Sequence, residues 1–314
     1  MKLNSYTTKL ASATLFVVFG LFSVYSVAAP MYSDWSEAVN LGPVVNSTAN
    51  DFAPHISKNG LSLYFTSARP GGFGGEDLWV SQRARRHDPW GPPVNLGPTI
   101  NTEVLERSPA LSRDGRLLFF ASTRPGGFGG FDIWVSWRAH SHDDFGWQPP
   151  VNLGEAINTS ETDAGPNYFE NDDVGIPLLF LASNRPGGAG GLDIYVSELA
   201  TNGTFATLVP VNELNGPAND LTPGVRFDGL EIVVASNRVG TIGGFDLWVS
   251  TRDTVGDSWS GPVNLGPAVN SASGETFPSL SSDREALFFD SGRPGGLGGS
   301  DLYVSTRTKL RAPK

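Results

Sequence analysis

The chain contains no cysteine. That excludes a disulfide scaffold, thiolate metal sites, a cysteine nucleophile and a lipidated N-terminal cysteine. Long apolar runs are scarce as well. Beyond residue 30 no segment approaches the roughly 18 apolar residues of a membrane span. Positive charge is in deficit, with 22 Lys and Arg against 32 Asp and Glu, a net −10. Such a balance argues against nucleic acid or an anionic membrane as partner. No Gly-x-Ser-x-Gly nucleophile elbow occurs. Glycine is abundant at 38 residues but does not fall at every third position, so collagen is excluded. With 8 Trp, 7 Tyr and 19 Phe, disorder is excluded too. What remains is a globular, turn-rich protein.

Residues 1–28 read as a secretory leader. Lys2 and Lys9 supply the charged start, Leu15 to Phe22 the apolar run, and Ser26-Val27-Ala28 the small residues for cleavage. Cleavage is expected after Ala28, because one residue later it would leave Pro30 first. The leader carries two Lys and no acid, so the mature chain would be −12. The expectation is a periplasmic or secreted monomer with no membrane insertion once the leader is removed.

One string recurs along the rest of the chain. Arg69-Pro70-Gly71-Gly72-Phe73-Gly74-Gly75-Glu76-Asp77 returns at Arg124, Arg185 and Arg293, and in degenerate form at Arg238. Successive Arg positions differ by 55, 61, 53 and 55 residues. These loops hold four Gly in each of four copies and three in the fifth, or 19 of the 38. Each unit contains four strand-like pieces. In the second, Pro109–Ser112 is followed by the Asp114-Gly115 turn signal, then Arg116–Ser122, Asp132–Ser136 and Trp147–Leu153. The last piece is placed outermost, since Pro149 and Pro150 cannot donate to a ladder. The two middle pieces are apolar on both faces, as in Phe119-Phe120 and Ile133-Trp134-Val135. A strand buried on both sides belongs to a sheet packed between two others, as in a radial array of blades.

The sequence therefore predicts an all-β, five-bladed propeller of four-stranded antiparallel blades. It forms one domain over 29–314, with repeats of roughly 35–89, 90–146, 147–204, 205–258 and 259–307. The chain starts on a fourth-type piece, Trp35 to Gly42, and ends on a third-type piece, Asp301 to Ser305. Its first strand should complete the last blade and remove the exposed sheet edges.

Ser112-Arg113-Asp114-Gly115, then Leu118-Phe119-Phe120 and Asp132-Ile133-Trp134-Val135, resemble the WD40-like propeller repeat called PD40. The resemblance recurs five times and implies a propeller of the TolB-like kind. In that setting the propeller is a docking platform for an envelope partner. Related repeats accompany peptidoglycan-binding domains, peptidases and pectin-degrading lyases.

Several residue sets could carry function. Arg69 and Asp77, Arg124 and Asp132, Arg185 and Asp193, Arg238 and Asp246, and Arg293 and Asp301 are each eight residues apart across the Gly-rich loop. They read as five ion pairs fixing that loop, or as a repeated binding face. A second set of acids, Asp51, Glu106, Asp163, Asp220 and Glu275, lies three residues before the Pro of each first strand. These read as capping acceptors, or as a polar ring at the channel mouth for sugar hydroxyls or Ca²⁺. The Gly-rich loop itself leads into a strand and lacks Lys-Ser/Thr, so it is not a phosphate loop. Trp35, Trp79, Trp90, Trp134, Trp147, Trp248 and Trp259 keep repeat-locked positions and should pack blades together. Trp137 breaks the pattern and is the one Trp expected to be exposed for ligand contact. His140, His142, Asp143 and Asp144 share one loop, and Tyr168 to Gly175 replaces the usual tight turn. Both should lie opposite the Gly-rich loops. As solvent-facing loops they need hold no metal, and no catalytic residue, metal site or required cofactor is assigned.

Two functions stand against each other. The leading one is an exported, non-catalytic module that docks an envelope protein or cell-wall component. The alternative is a glycan-binding or glycan-active protein using the channel mouth, with a multivalent sugar binder between them. A glycosidase requires a mouth lined by acids that differ from blade to blade.

Overall fold

The computed structural model describes residues 32–170 and 175–310. The leader, and Asn171 to Val174 of the unusual turn in the third repeat, lie outside the described residues. The structure is all-β, with twenty strands in five four-stranded antiparallel sheets. Blade one comprises β2 (Asp51–Ile56), β3 (Ser62–Ser67), β4 (Asp77–Gln82) and β5 (Val94–Asn95). Blade two follows with β6 (Glu106–Leu111), β7 (Leu117–Ser122), β8 (Asp132–Trp137) and β9 (Val151–Asn152). Blade three has β10 (Asp163–Phe169), β11 (Leu178–Ser183), β12 (Asp193–Glu198) and β13 (Val209–Pro210). Blade four has β14 (Asp220–Val225), β15 (Glu231–Ser236), β16 (Asp246–Thr251) and β17 (Val263–Asn264). Blade five is β18 (Glu275–Leu280), β19 (Ala286–Ser291) and β20 (Asp301–Thr306), completed by β1 (Val39–Asn40) from the start of the chain. Val39 pairs with Val304 and Asn40 with Tyr303, so the ring closes as the repeat order requires.

The outer strands are shorter than the sequence suggests, with two residues each. Prolines flank or enter four of them, at Pro93, Pro150, Pro210 and Pro262, and remove the donors that would extend the ladder. The inner strands are longer than expected and begin on the acid, which is the first strand residue rather than part of a loop.

The core is divided between neighbouring blades. Tyr64, Leu78 and Val80 of blade one pack with Leu111, Leu118, Phe120 and Trp134 of blade two. All six residues of β3 are buried, as its two-sided apolar pattern demands. Each inner strand carries a bulge at its third residue. Ala53, Ser108, Gly165, Thr222 and Phe277 all have φ between 50° and 60°, and four of the five are not glycine. The next residue is always Pro, whose missing N–H suits a position already out of register. These prolines line the central channel and leave a cavity of about 20 Å³, room for a single water.

Candidate functional site

The inner-strand acids and the Gly-rich loops meet on one face of the ring, but not in the pairing the spacing suggested. Each loop Arg reaches the inner-strand acid of its own blade. Arg69 Nη2 lies 2.5 Å from Asp51, Arg124 3.2 Å from Glu106, Arg185 2.7 Å from Asp163 and Arg293 3.1 Å from Glu275. Arg238 pairs with Asp220 in the same way. The predicted partners Asp77, Asp132, Asp193, Asp246 and Asp301 turn the other way, into the loop. Asp77 accepts from Phe73 N at 2.7 Å, Asp132 from Phe128 N at 2.6 Å, and Asp301 from Leu297 N at 2.6 Å. Asp246 accepts from Ile242 N and Asp193 from Gly190 N. The carboxylate occupies the space of a missing side chain: a Cβ on Gly72 would stand 1.6 Å from Asp77 Oδ2. Burial pushes the Asp77 and Asp132 carboxyls above their ordinary value, opposed by the loop amides.

Each Arg is held on several sides. Arg69 Nε donates to Ser67 Oγ at 2.7 Å and Nη2 to Val45 O at 2.7 Å. Its guanidinium also lies over Trp79, 5.3 Å from the ring centroid. The other Arg residues repeat the arrangement over Trp134, Tyr195, Trp248 and Tyr303. All five inner-strand acids are 0% exposed. They are therefore not a polar ring open to the channel, and the Ca²⁺ reading loses its ligands because each carboxylate already faces a cation. Asp51, for example, also accepts from Ser47 N, Ser47 Oγ and Ser67 Oγ.

A second network went unread in the sequence. Asn101 accepts from Leu78 N and donates to Leu78 O, both at 2.9 Å, and donates to Asn95 Oδ1 at 2.8 Å. Asn46, Asn158 and Asn270 repeat these bonds. The signal was available as Val-Asn-Leu-Gly with a second Asn six residues after the first. These Asn residues tie the outer connection of four blades to the third strand beside it, and in blade three Asn215 does the same with Ile194. The Gly-rich loop then abuts the connection into the next blade, with a Cβ on Gly74 only 2.0 Å from Val104 O. Much of the glycine excess is thus spent on contacts between blades.

Around the channel mouth the second residue of each inner strand differs: Phe52, Arg107, Ala164, Leu221 and Thr276. Arg107 bonds Glu76 Oε1 at 2.8 Å and lies over the rings of Phe52 and Phe131. Across the mouth, Asp290 is buried, accepting from Ala53 N, Thr276 Oγ1 and Ser300 Oγ. Burial raises its pKa to about 7. The large side chains that stand out on this face are at the loop tips. Phe73 is 48% and Phe128 49% exposed, and Ile242 and Leu297 occupy the equivalent places in blades four and five.

The opposite face carries the turns between first and second strands and the loops between third and outer strands. Trp137, at the end of β8, is 54% exposed. Of the His and Asp residues grouped in its loop, His140 and His142 lie with ring centroids 5.6 Å apart. Asp144 is drawn inside instead. It accepts from Ser62 Oγ at 2.6 Å, Tyr64 Oη at 2.5 Å, Gln82 Nε2 at 2.7 Å and Arg138 Nη1 at 2.6 Å. Burial works to raise its pKa, but these bonds outweigh burial and hold it below the ordinary value. Among the described residues no group of three or more His, Asp or Glu is placed to hold a metal ion.

No family model matches the sequence, and no curated protein matches it. Solved structures do share the architecture. An α-L-arabinofuranosidase from Lactobacillus brevis aligns with a TM-score of 0.60 at 16% identity, over 86% of this chain and 93% of the other. The GH43_1 enzyme from Xanthomonas citri, solved with xylotriose, aligns with a TM-score of 0.56 at 15% identity, over 86% and 89%. The catalytic domain of a GH62 α-L-arabinofuranosidase from Coprinopsis cinerea aligns at 0.53 and 15%, over 89% and 98%. At such identities the likeness is one of fold. It nevertheless corrects the leading expectation of a non-catalytic module docking an envelope protein or cell-wall component. The solved propellers it aligns with are glycoside hydrolases and not docking scaffolds.

Proposed function

We propose that the protein recognises glycans on the Gly-loop face, around the channel mouth. The observation that carries this reading is the pair Phe73 and Phe128, exposed at equivalent tips of adjacent rigid loops. Each tip is anchored from below, since the amide of the exposed residue donates to the buried Asp77 or Asp132. An aromatic ring held this way offers a preorganised apolar surface to the C–H face of a sugar ring, with little ordering cost on binding.

The same face is poorly equipped for hydrolysis. Glycosidases need two reachable carboxyl groups, about 5–5.5 Å apart for retention or about 6.5–9.5 Å for inversion. Here every inner-strand acid is buried against an Arg, and Asp290 is buried as well. Recognition by shallow, repeated contacts is what the geometry supports.

The test is a glycan array that includes xylan, arabinoxylan and cell-wall glycans, with sugar release assayed in parallel. Neutral oligosaccharides should bind the purified protein without turnover, and a Phe73→Ala/Phe128→Ala double variant should bind at least tenfold more weakly. Release of sugar would replace recognition by catalysis, and binding unchanged in the double variant would move the site off this face.

A further inference from the structure

On the face opposite the Gly-rich loops, four of the five junctions between blades carry an Arg laid on a Trp. Arg83 lies over Trp90 at 4.1 Å, Arg138 over Trp147 at 4.3 Å, Arg252 over Trp259 at 4.1 Å and Arg307 over Trp35 at 4.3 Å. In each case Nε donates to a turn carbonyl of the same blade: Gly60, Gly115, Gly229 and Arg284. The rest of the guanidinium faces the preceding blade.

What meets it there differs. At the junction of blades one and two it is the Asp144 carboxylate, held also by Ser62, Tyr64 and Gln82. Between blades four and five it is the Glu231 carboxylate, with both oxygens 3.0 Å from Arg307 Nη2. Between blades three and four the neighbours are apolar, with Leu178 and Val255 packed against the cluster that contains Trp259. Between blades five and one the Arg remains, and no carboxylate bonds it among the described residues, although the charges of Asp283 and Asp88 act on it from nearby. Ala286 stands at the register of Ser62 and Glu231, Phe288 at that of Tyr64, and Thr306 at that of Gln82. A recess of about 480 Å³ lies beside Arg83 and Trp90; recesses also border the sister junctions, about 990 Å³ beside Arg307 and Trp35 and about 410 Å³ beside Arg138, but there the Arg already holds a carboxylate.

We propose that this junction binds the carboxylate of a uronosyl sugar, with Arg83 taking the acid group and Trp90 and Phe288 the ring. The inference rests on the glycan reading above but uses the other face of the propeller. Two sister junctions display the ligand chemistry intramolecularly, since an Arg stacked on Trp is there completed by a carboxylate. Arg83 spends only Nε on the described residues, so its terminal nitrogens are available for a bidentate contact. Of the other charges in the recess, Arg86 pairs with Asp283 at 3.1 Å and Arg307 with Glu231. Among the described residues Glu285 accepts only from the Lys309 amide and keeps its charge, and Asp283 and Asp88 act on Arg83, so a bound carboxylate must sit on the Arg83 side away from them. The opposite wall combines Ala286, Val304 and the edge of the buried Phe288 ring, 6.5 Å from that of Trp90, with Ser281 and Ser282, and Thr306 adds a hydroxyl for sugar oxygens. An acid group at one end and a C–H face along the rest match this lining better than a neutral sugar or a small inorganic anion does.

Glucuronate and glucose differ only in the acid group, and NMR titration of the Trp90 indole and Arg83 Nε–H signals separates them. Glucuronate should shift both saturably, whereas glucose and acetate should not. Arg83→Gln should weaken the response about tenfold or more. Ala286→Glu places a carboxylate where Glu231 stands in the sister junction, so it should occupy Arg83 and abolish binding while leaving the fold intact. Equal shifts with glucose, equal shifts with acetate, or glucuronate binding that survives Ala286→Glu would each overturn the proposal. Neutral-glycan binding, read on the same variants and on Phe73→Ala/Phe128→Ala, reports separately on the other face.

Discussion

Asp290→Asn should stabilise the protein above pH 7 and leave it unchanged near pH 4. Asp290 is fully buried, and burial lifts its pKa from 3.8 to about 7. The sign follows from linkage. Between those two values the folded state keeps a proton that the unfolded chain has released, so folding loses stability as pH rises through the window. Above pH 7 the full cost is present. It corresponds to the distance from 3.8 to 7, about 4 kcal/mol at 1.36 kcal/mol per pH unit. Asparagine reproduces the protonated acid. Its oxygen can accept from Ala53 N, and its amide can donate to the Thr276 and Ser300 hydroxyls, which now bond Asp290 Oδ2.

Urea titrations of both proteins from pH 4.5 to 8.5 provide the assay, with midpoints compared at constant m. The difference should grow steadily to about pH 7 and then level off. His55 must be kept apart from this. It too is buried, and its pKa falls to about 4, so its own contribution is lost as pH drops from 6.5 towards 4. The two slopes oppose each other in the wild type between pH 4 and 6.5. Because His55 is present in both proteins, subtraction isolates Asp290. A difference independent of pH, or a variant less stable at pH 8, would refute the assignment.

Other outcomes follow from the ring contacts. Arg185→Met leaves the buried Asp163 carboxylate with Thr159 N and Oγ1 donating to Oδ2 but no cation, and should cost about 3–5 kcal/mol in chemical denaturation. Gly129→Ala brings a Cβ to 2.4 Å from the Ser160 carbonyl carbon, backbone that cannot rotate away. It should unfold at clearly lower denaturant than Gly97→Ala, where nothing lies within 4 Å and only the left-handed φ of 83° is strained, worth about 1–2 kcal/mol.

The fold was legible because its constraints are repeated five times. Ring closure could be read from the order of strand types alone, and β1 pairs with β20 as that order requires. The pairing of charges was not legible. Each Arg has one acid eight residues ahead and another usually 18 behind, as with Asp77 and Asp51 around Arg69. Sequence proximity favours the nearer one. The structure chooses the other, because glycine lets the Asp77 carboxylate fold under its own loop amides and leaves Arg69 facing Asp51. No periodicity announces a carboxylate that swings into a loop.

The unequal positions are where function separates from architecture. Residues identical in five blades must satisfy the ring, and here they do so with buried pairs that offer a ligand little. A position that varies at fixed register has been released from that duty. Asp290 takes the register of Thr66, Ala121, Ala182 and Ala235, and it keeps a titrating carboxyl beside the mouth where most blades keep a methyl group. Ala286 takes the register of Ser62 and Glu231 and leaves the Arg83–Trp90 junction with no carboxylate bonded to its Arg among the described residues. Phe73 and Phe128 share a register with Ala189, so the third blade breaks an otherwise apolar circuit of loop tips. A multivalent binder with five equal sites would keep that register constant. The variation points instead to contacts concentrated on blades one and two, and a Phe73→Ala/Phe128→Ala loss much larger than that of Ile242→Ala/Leu297→Ala is the corresponding expectation.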